Sequence, residues 1–196
     1  MAKKASAPKL LARRFPLTPG QVLGPYFIAN AKQQSKLFPA GVVGEEIAIS
    51  GQVLAPDGTP IADATVSVWV ADPAGRYDNQ NDDGSPKPIA VKDHLYRGRI
   101  TADKSGGYSF SILRPGNYFD DGYNLWRPSH IHVVVEAKGY KKLTTQLYFE
   151  DDAHNTLDIP GDDFFQPELV VRLNPAVPTA GVVQKGAFNF VLAKTR

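Results

Sequence analysis

The chain contains no cysteine. That excludes disulfides, thiolate metal sites and thiol nucleophiles, and it is compatible with the cytoplasm, the compartment we expect. No uninterrupted apolar run reaches the roughly 18 residues needed to span a membrane, and none near the start resembles a signal peptide, so no membrane partner is expected. Convincing amphipathic helices are also missing, because no stretch keeps a 3.6-residue apolar period. Acid is absent from the early chain. Seven Lys or Arg precede Glu45 and no Asp or Glu does. Lys3, Lys4, Lys9, Arg13 and Arg14 could form a nucleic-acid arm, but a solvated chain end is the reading adopted, with no nucleic-acid partner.

What remains is an ordinary globular composition. The 196 residues are 42% hydrophobic and 21% charged, with a net charge of +2. One core of useful size needs no disulfide at this length. We read residues 1–17 as a basic N-terminal tail and residues 18–196 as a single domain. Leu17-Thr18-Pro19-Gly20-Gln21-Val22-Leu23-Gly24-Pro25-Tyr26-Phe27 is too rich in Pro and Gly for a helix and reads as an extended arm with fixed bends. A short helical turn followed by loop is expected over 28–44.

Alternation of apolar and polar residues predicts strands over 47–54, 64–70, 97–101, 107–113, 130–137, 143–149, 168–173 and 187–192. Turn chemistry separates them, as in Pro56-Asp57-Gly58 and Asp103-Lys104-Ser105-Gly106. Two polar loops, 78–94 and 150–167, are long enough to expect a function. The pattern is that of an all-β sandwich or barrel.

The densest chemistry lies in Trp126-Arg127-Pro128-Ser129-His130-Ile131-His132. Residues i and i+2 of a strand share a face, so His130 and His132 would present two imidazoles side by side, with Ile131 opposite. This is a metal-binding arrangement that does not by itself choose the metal. Glu136 has the same parity, echoing a cupin-like Fe(II) or Zn(II) site, but it lies about 13 Å further along at roughly 3.3 Å per residue. An exposed strand-end carboxylate is the plainer reading. Tyrosine is the other candidate ligand, and there are eight. A phenol with a pKa of about 10 ionises near neutrality only on a strongly acidic metal such as ferric iron.

These residues resemble a known family, the intradiol ring-cleavage dioxygenases, and protocatechuate 3,4-dioxygenase subunits in particular. The matching pieces run from about Thr18 to Ala193. They are Thr18-Pro19-Gly20-Gln21 with Gly24-Pro25-Tyr26; Val68-Trp69 with Gly75-Arg76-Tyr77; Gly107-Tyr108-Ser109-Phe110; Pro115-Gly116-Asn117-Tyr118; the histidine stretch; and Thr145-Gln146-Leu147-Tyr148-Phe149. Each is weak alone, whereas their order and spacing together are specific. The resemblance implies an all-β fold, an antiparallel β-sandwich of prealbumin/transthyretin type, with an N-terminal arm and long active-site loops. It implies a nonhaem Fe(III) cofactor held by Tyr77, Tyr118, His130 and His132, with Tyr118 the tyrosinate that substrate displaces.

The same resemblance gives Arg127 and Gln146 the task of stabilising negative charge on the substrate ring. Val22, Gly24, Pro25 and Tyr26 become substrate-binding candidates. The implied reaction cleaves a catechol-type ring between its two hydroxylated carbons with O2, yielding a cis,cis-muconate-type diacid. Expected partners are a catecholic small molecule and O2, in a homo-oligomer whose sites could be shared between chains.

Two departures bear on the substrate. Members specific for simple catechols usually carry a long helical N-terminal segment, and only about 17 residues precede the arm here, which favours the protocatechuate-like branch. Against that, the loop after Tyr118 reads Phe119-Asp120-Asp121-Gly122-Tyr123. In the protocatechuate enzymes it is one residue longer and bears a Trp-Arg pair. Two aspartates facing a pocket would repel a substrate carboxylate. The competing reading is a non-enzymatic prealbumin-like binding module, to which Gly51 to Val66 is also similar.

Overall fold

The computed structural model describes residues 14–155, 165–179 and 182–195. Most of the basic tail (residues 1–13) and the middle of the second long loop (156–164) lie outside the described residues. The strands are β1 (Glu46–Leu54), β2 (Thr65–Trp69), β3 (Arg97–Thr101), β4 (Gly107–Leu113), β5 (Tyr118–Asp120), β6 (Leu125–Arg127), β7 (His130–Glu136), β8 (Leu143–Phe149), β9 (Val170–Val171), β10 (Leu173–Thr179), β11 (Val182–Ala187) and β12 (Phe190–Val191). Helix is confined, among the described residues, to short 3-10 turns such as Val91–Asp93 and Pro167–Leu169.

Two five-stranded sheets carry the fold, with β5 and β6 as a separate ribbon. In one sheet β1 is the hub, pairing with β4, β11 and β12, while β10 joins β11. The other runs β3-β2-β7-β8-β9. Alternation decides which side chains meet between them. Ile47 and Ile49 from the first sheet share one buried cluster with Val66, Val68, Ile131, Val133 and Val135 from the second. Each such side chain contributes about 1.5–3 kcal/mol on burial, as an upper estimate.

The structure corrects three expectations. The sheets are mixed rather than antiparallel throughout, because β1 pairs parallel with β11 and β12, and β8 with β9. Hairpin neighbours such as β7 and β8 can only run antiparallel, whereas β9, β11 and β12 return after long connections and can take either direction. Residues 28–44 form no helix. Their backbone pairs instead with β3 and β4, Gln34 N–H on the Arg99 carbonyl (3.3 Å) and Leu37 N–H on that of Ser111 (2.8 Å). Finally, the strands expected over 168–173 and 187–192 are broken up. The first becomes a 3-10 turn, β9 and the start of β10, and the second contains only the end of β11 and then β12.

Candidate active site

The register of the second sheet builds the floor of the site. His132 lies opposite Trp69 of β2 and Gln146 of β8, and His130 lies opposite Tyr148 of β8. Directly opposed residues share a face, so these five side chains form one patch. His130 and His132 are buried, at 2% and 3% exposure, while Ile131 turns into the core as expected. The two imidazole Nε2 atoms approach to 3.1 Å. His130 Nδ1 lies 2.7 Å from the Pro128 carbonyl. It must therefore carry the proton, which leaves the Nε2 lone pair turned inward. His132 is fixed differently. Its ring stacks on Trp69 (centroids 4.8 Å apart, 5° between planes), and its Nδ1 has no hydrogen-bond partner among the described residues.

Two loops deliver the tyrosines. Asp72 Oδ1 accepts the Ala74 and Arg76 N–H groups and curls the chain ahead of Tyr77. The Gly116 N–H donates to the Asp72 carbonyl at 2.9 Å, bringing the Pro115–Tyr118 loop against it. The contact is too close for a side chain. Gly75 has φ +83°, and a Cβ there would sit 2.6 Å from the Asn117 carbonyl oxygen and 3.2 Å from Tyr118 Cβ. Tyr77 and Tyr118 thereby meet edge to face (6.1 Å), and the Tyr77 hydroxyl reaches 3.3 Å from His130 Nε2. Tyr118 is 5.6 Å from His130, ring to ring. All four expected metal ligands converge.

Arg127 comes with Tyr118, since the two are partners in the β5–β6 ladder. It is buried, and its Nη2 donates to Gln146 Oε1 (3.1 Å). Gln146 Nε2 donates in turn to the Val22 carbonyl (3.1 Å). The arm itself seats in its own chain. Gln21 N–H bonds the Thr144 carbonyl, Tyr26 stacks on Tyr77 at 4.3 Å, and a Cβ on Gly24 would meet His132 Cε1 at 3.2 Å. Bringing arm and tyrosines together therefore requires no second chain. Pro25 and Tyr26, with Tyr77, Tyr118 and the loop over 80–84, line a cavity of about 280 Å³.

Burial sets the electrostatics. It lowers the His130 pKa to about 3, helped by the Arg127 guanidinium, and holds His132 well below the usual imidazole range. Both imidazoles are thus neutral. Burial likewise pushes Tyr118 up to about 12, with Arg127 pulling the other way, and raises Tyr77 well above an ordinary phenol. Two neutral imidazoles and two reluctant phenols facing one point, with no carboxylate among them, lack only a cation to ionise the phenols. Among the described residues no group of three or more His, Asp or Glu could hold a metal, so closing a site here depends on the tyrosines. The donor set of two N and two phenolate O suits a hard trivalent ion.

Glu136 stands away from this cluster, half-exposed and paired with Lys142 Nζ at 3.4 Å, which removes the cupin arrangement. Tyr123 is 55% exposed and outside the site. Sequence reasoning overlooked Asp152. Its carboxylate accepts Asn117 Nδ2 (2.9 Å), the Ser129 N–H (2.8 Å) and the His154 N–H (2.8 Å), tying the Tyr118 loop to the start of β7. Burial pushes its pKa up, but these hydrogen bonds prevail and hold it below the carboxylate norm. An acid inside a long polar loop was the available signal. Tyr148 was also missed as a site residue, although it shares strand parity with Gln146. Its hydroxyl lies 3.2 Å from both Gln146 Oε1 and Gln21 Oε1.

Comparison with known proteins follows the same geometry. A family model described as Dioxygenase matches residues 22–194. Chlorocatechol 1,2-dioxygenase of Rhodococcus opacus is 30% identical over 193 residues, covering 89% of this chain and 72% of that protein. The protocatechuate 3,4-dioxygenase beta chain of Burkholderia cepacia is 37% identical over 112 residues, covering 56% of this chain and 47% of that one. The crystal structure of 3-chlorocatechol 1,2-dioxygenase from Rhodococcus opacus 1CP superposes with a TM-score of 0.78 at 28% identity, covering 94% of this chain and 75% of that structure. The chain thus spans from about half to three quarters of the length of these relatives.

Proposed function

The chain belongs to the intradiol ring-cleaving dioxygenases, oxidoreductases of aromatic catabolism, and from that premise we propose that it opens a catechol-type ring between its two hydroxylated carbons, consuming O2 and releasing a cis,cis-muconate-type diacid. The observation that carries this reading is the convergence of Tyr77, Tyr118, His130 and His132 on one buried point. These four would hold a nonhaem Fe(III). When bound, the ferric ion supplies the covalency that gives a chelated catecholate carbanion character, so that no external reductant is needed.

The remaining work falls to the chain's own groups. Tyr118 Oη, ionised only while it holds the ion, would accept a catechol hydroxyl proton, and burial then favours keeping that proton on the phenol. Arg127, aimed by Gln146, lays a fixed positive charge beside the ring as negative charge builds there. Tyr26 and Pro25 wall the cavity, and Gly24 leaves the face of His132 uncovered by a side chain. We infer that the two sheets stack as a prealbumin-type sandwich behind this floor, and that the protein is a cytoplasmic homo-oligomer, each chain with its own site. A binding-module reading leaves the buried four-donor cluster unexplained.

The test is to load metal-free protein with iron and look for the red-brown colour of tyrosinate-to-iron charge transfer, then supply catechol under labelled O2. Both labelled atoms should appear in the ring-opened diacid, and Tyr118→Phe should shift the band and depress turnover. Stoichiometric iron in a colourless protein, or a Tyr118→Phe spectrum identical to the parent, would overturn the assignment.

A further inference from the structure

The cavity beside Tyr77 and Tyr118 is one-sided in charge. Asp83, Asp120 and Asp121 all line it, and among the described residues no Lys or Arg does. They come from separate parts of the chain. Asp83 sits in the loop after Tyr77, whereas Asp120 ends β5 and Asp121 follows it. The oxygens of Asp83 and Asp120 are held in place. Asp83 Oδ1 accepts the Ser85 N–H (2.9 Å) and hydroxyl (2.6 Å), and Asp120 Oδ1 accepts the Gly122 N–H (3.0 Å). Arg76, the exposed cation next to Tyr77, is paired with Asp82 at 3.1 Å. Arg127 is buried with the four donors and bonded to Gln146. The cavity therefore opens between carboxylates that are half-buried or exposed, while Arg127 and Arg97 lie buried and Arg76, near Tyr26 at the rim, is already paired with Asp82.

Resting on the reading of this site as a catechol-cleaving centre, we propose that Asp83, Asp120 and Asp121 make the enzyme selective for catechols whose ring substituent is neutral or cationic, and that they exclude substituents bearing a carboxylate. Geometry forces the choice. With the two hydroxyls directed at the tyrosines and histidines, a substituent on the far side of the ring points back through the cavity toward the rim. An anionic substituent there meets three like charges, and the cation near the rim, Arg76, is already paired with Asp82. A cationic one meets three counter-charges. Because the rim carboxylates are partly solvated, each interaction is modest and salt-sensitive, but all act in one direction.

A size-matched series separates charge from bulk: 4-(2-aminoethyl)catechol, 4-ethylcatechol and 3,4-dihydroxyphenylacetate. Affinity is read for iron-loaded protein without O2, from the displacement of the visible band, and kcat/KM is read with O2. Both should fall in that order. The neutral and anionic members should differ by at least about tenfold, equivalent to about 1.4 kcal/mol. Raising ionic strength to about 1 M, where the screening length is about 3 Å, should compress the order. The Asp83→Asn/Asp120→Asn/Asp121→Asn variant should compress it at low salt. Equal binding of the acetate and ethyl compounds by the parent, or an order indifferent to salt, overturns the proposal even if the variant does not fold. Absence of both the coloured band and ring opening with every compound would instead refute the catechol-cleaving reading, and this inference with it.

Discussion

Replacing Gly75 by Ala tests how the two tyrosine loops are brought together. Two costs are expected, and the structure separates them. The first is conformational. At φ +83° an L-residue is disfavoured by about 1–2 kcal/mol, offset by about 0.4–1 kcal/mol because Ala leaves the unfolded chain fewer states. The second is steric. The new Cβ falls 2.6 Å from the Asn117 carbonyl oxygen, part of a backbone that is itself bonded to the Asp72 loop through Gly116. Forced overpacking of this kind adds about 1–3 kcal/mol. Gly139 isolates the first cost, since it has the same φ of +83° and a Cβ there meets nothing within 4 Å.

Gly139→Ala should therefore cost about 1 kcal/mol or less, and Gly75→Ala about 3 kcal/mol. For a chain of this length these correspond to Tm shifts of about 2–4 °C and about 6–12 °C. Calorimetry of the metal-free proteins measures both. Because relief of the overlap must move Asn117, and Tyr118 with it, the visible band of iron-loaded Gly75→Ala should also shift, while that of Gly139→Ala should not. Equal Tm values for the two variants would refute the argument that close loop approach, rather than backbone handedness, demands glycine at 75.

Arg127→Ala should lower kcat by about 10²–10³, the usual loss of one aimed charge stabiliser, with the iron content unchanged. Steady-state kinetics beside metal analysis checks this, and a loss expressed only in KM would argue for a binding role. Asp152→Asn should destabilise the protein near neutral pH by about 1–3 kcal/mol, as charge-assisted bonds to Asn117, Ser129 and His154 weaken. The folded pKa of Asp152 is depressed, so its contribution is full above the unfolded value of about 3.9 and is lost as pH falls through the folded one. Denaturant titrations of parent and variant should therefore converge in acid, and a gap that stays constant from neutral pH into acid would contradict the role given to its charge.

The sequence alone determined what depends on local period and residue chemistry. Strand parity put His130 and His132 on one face and Ile131 on the other, and β3 and β4 have the bounds expected of them, Arg97–Thr101 and Gly107–Leu113. The four donors that the fold brings together were legible because Gly-Arg-Tyr, Pro-Gly-Asn-Tyr and His-Ile-His are compact strings whose order resembles that of a family. Only the tertiary structure decided what depends on partners distant in the chain. Residues 28–44 lack a helix because their N–H groups find carbonyls on Arg99 and Ser111. Parallel pairing of β9, β11 and β12 follows from long returns whose direction local sequence does not encode. Asp152 is invisible as a site residue until the loops bearing Asn117 and Ser129 close on it. Asp120 and Asp121 read alike as loop acids or as cavity walls until the turn after Tyr118 is built. A hydrogen bond or a field between residues far apart in sequence exists only once the chain has brought them together.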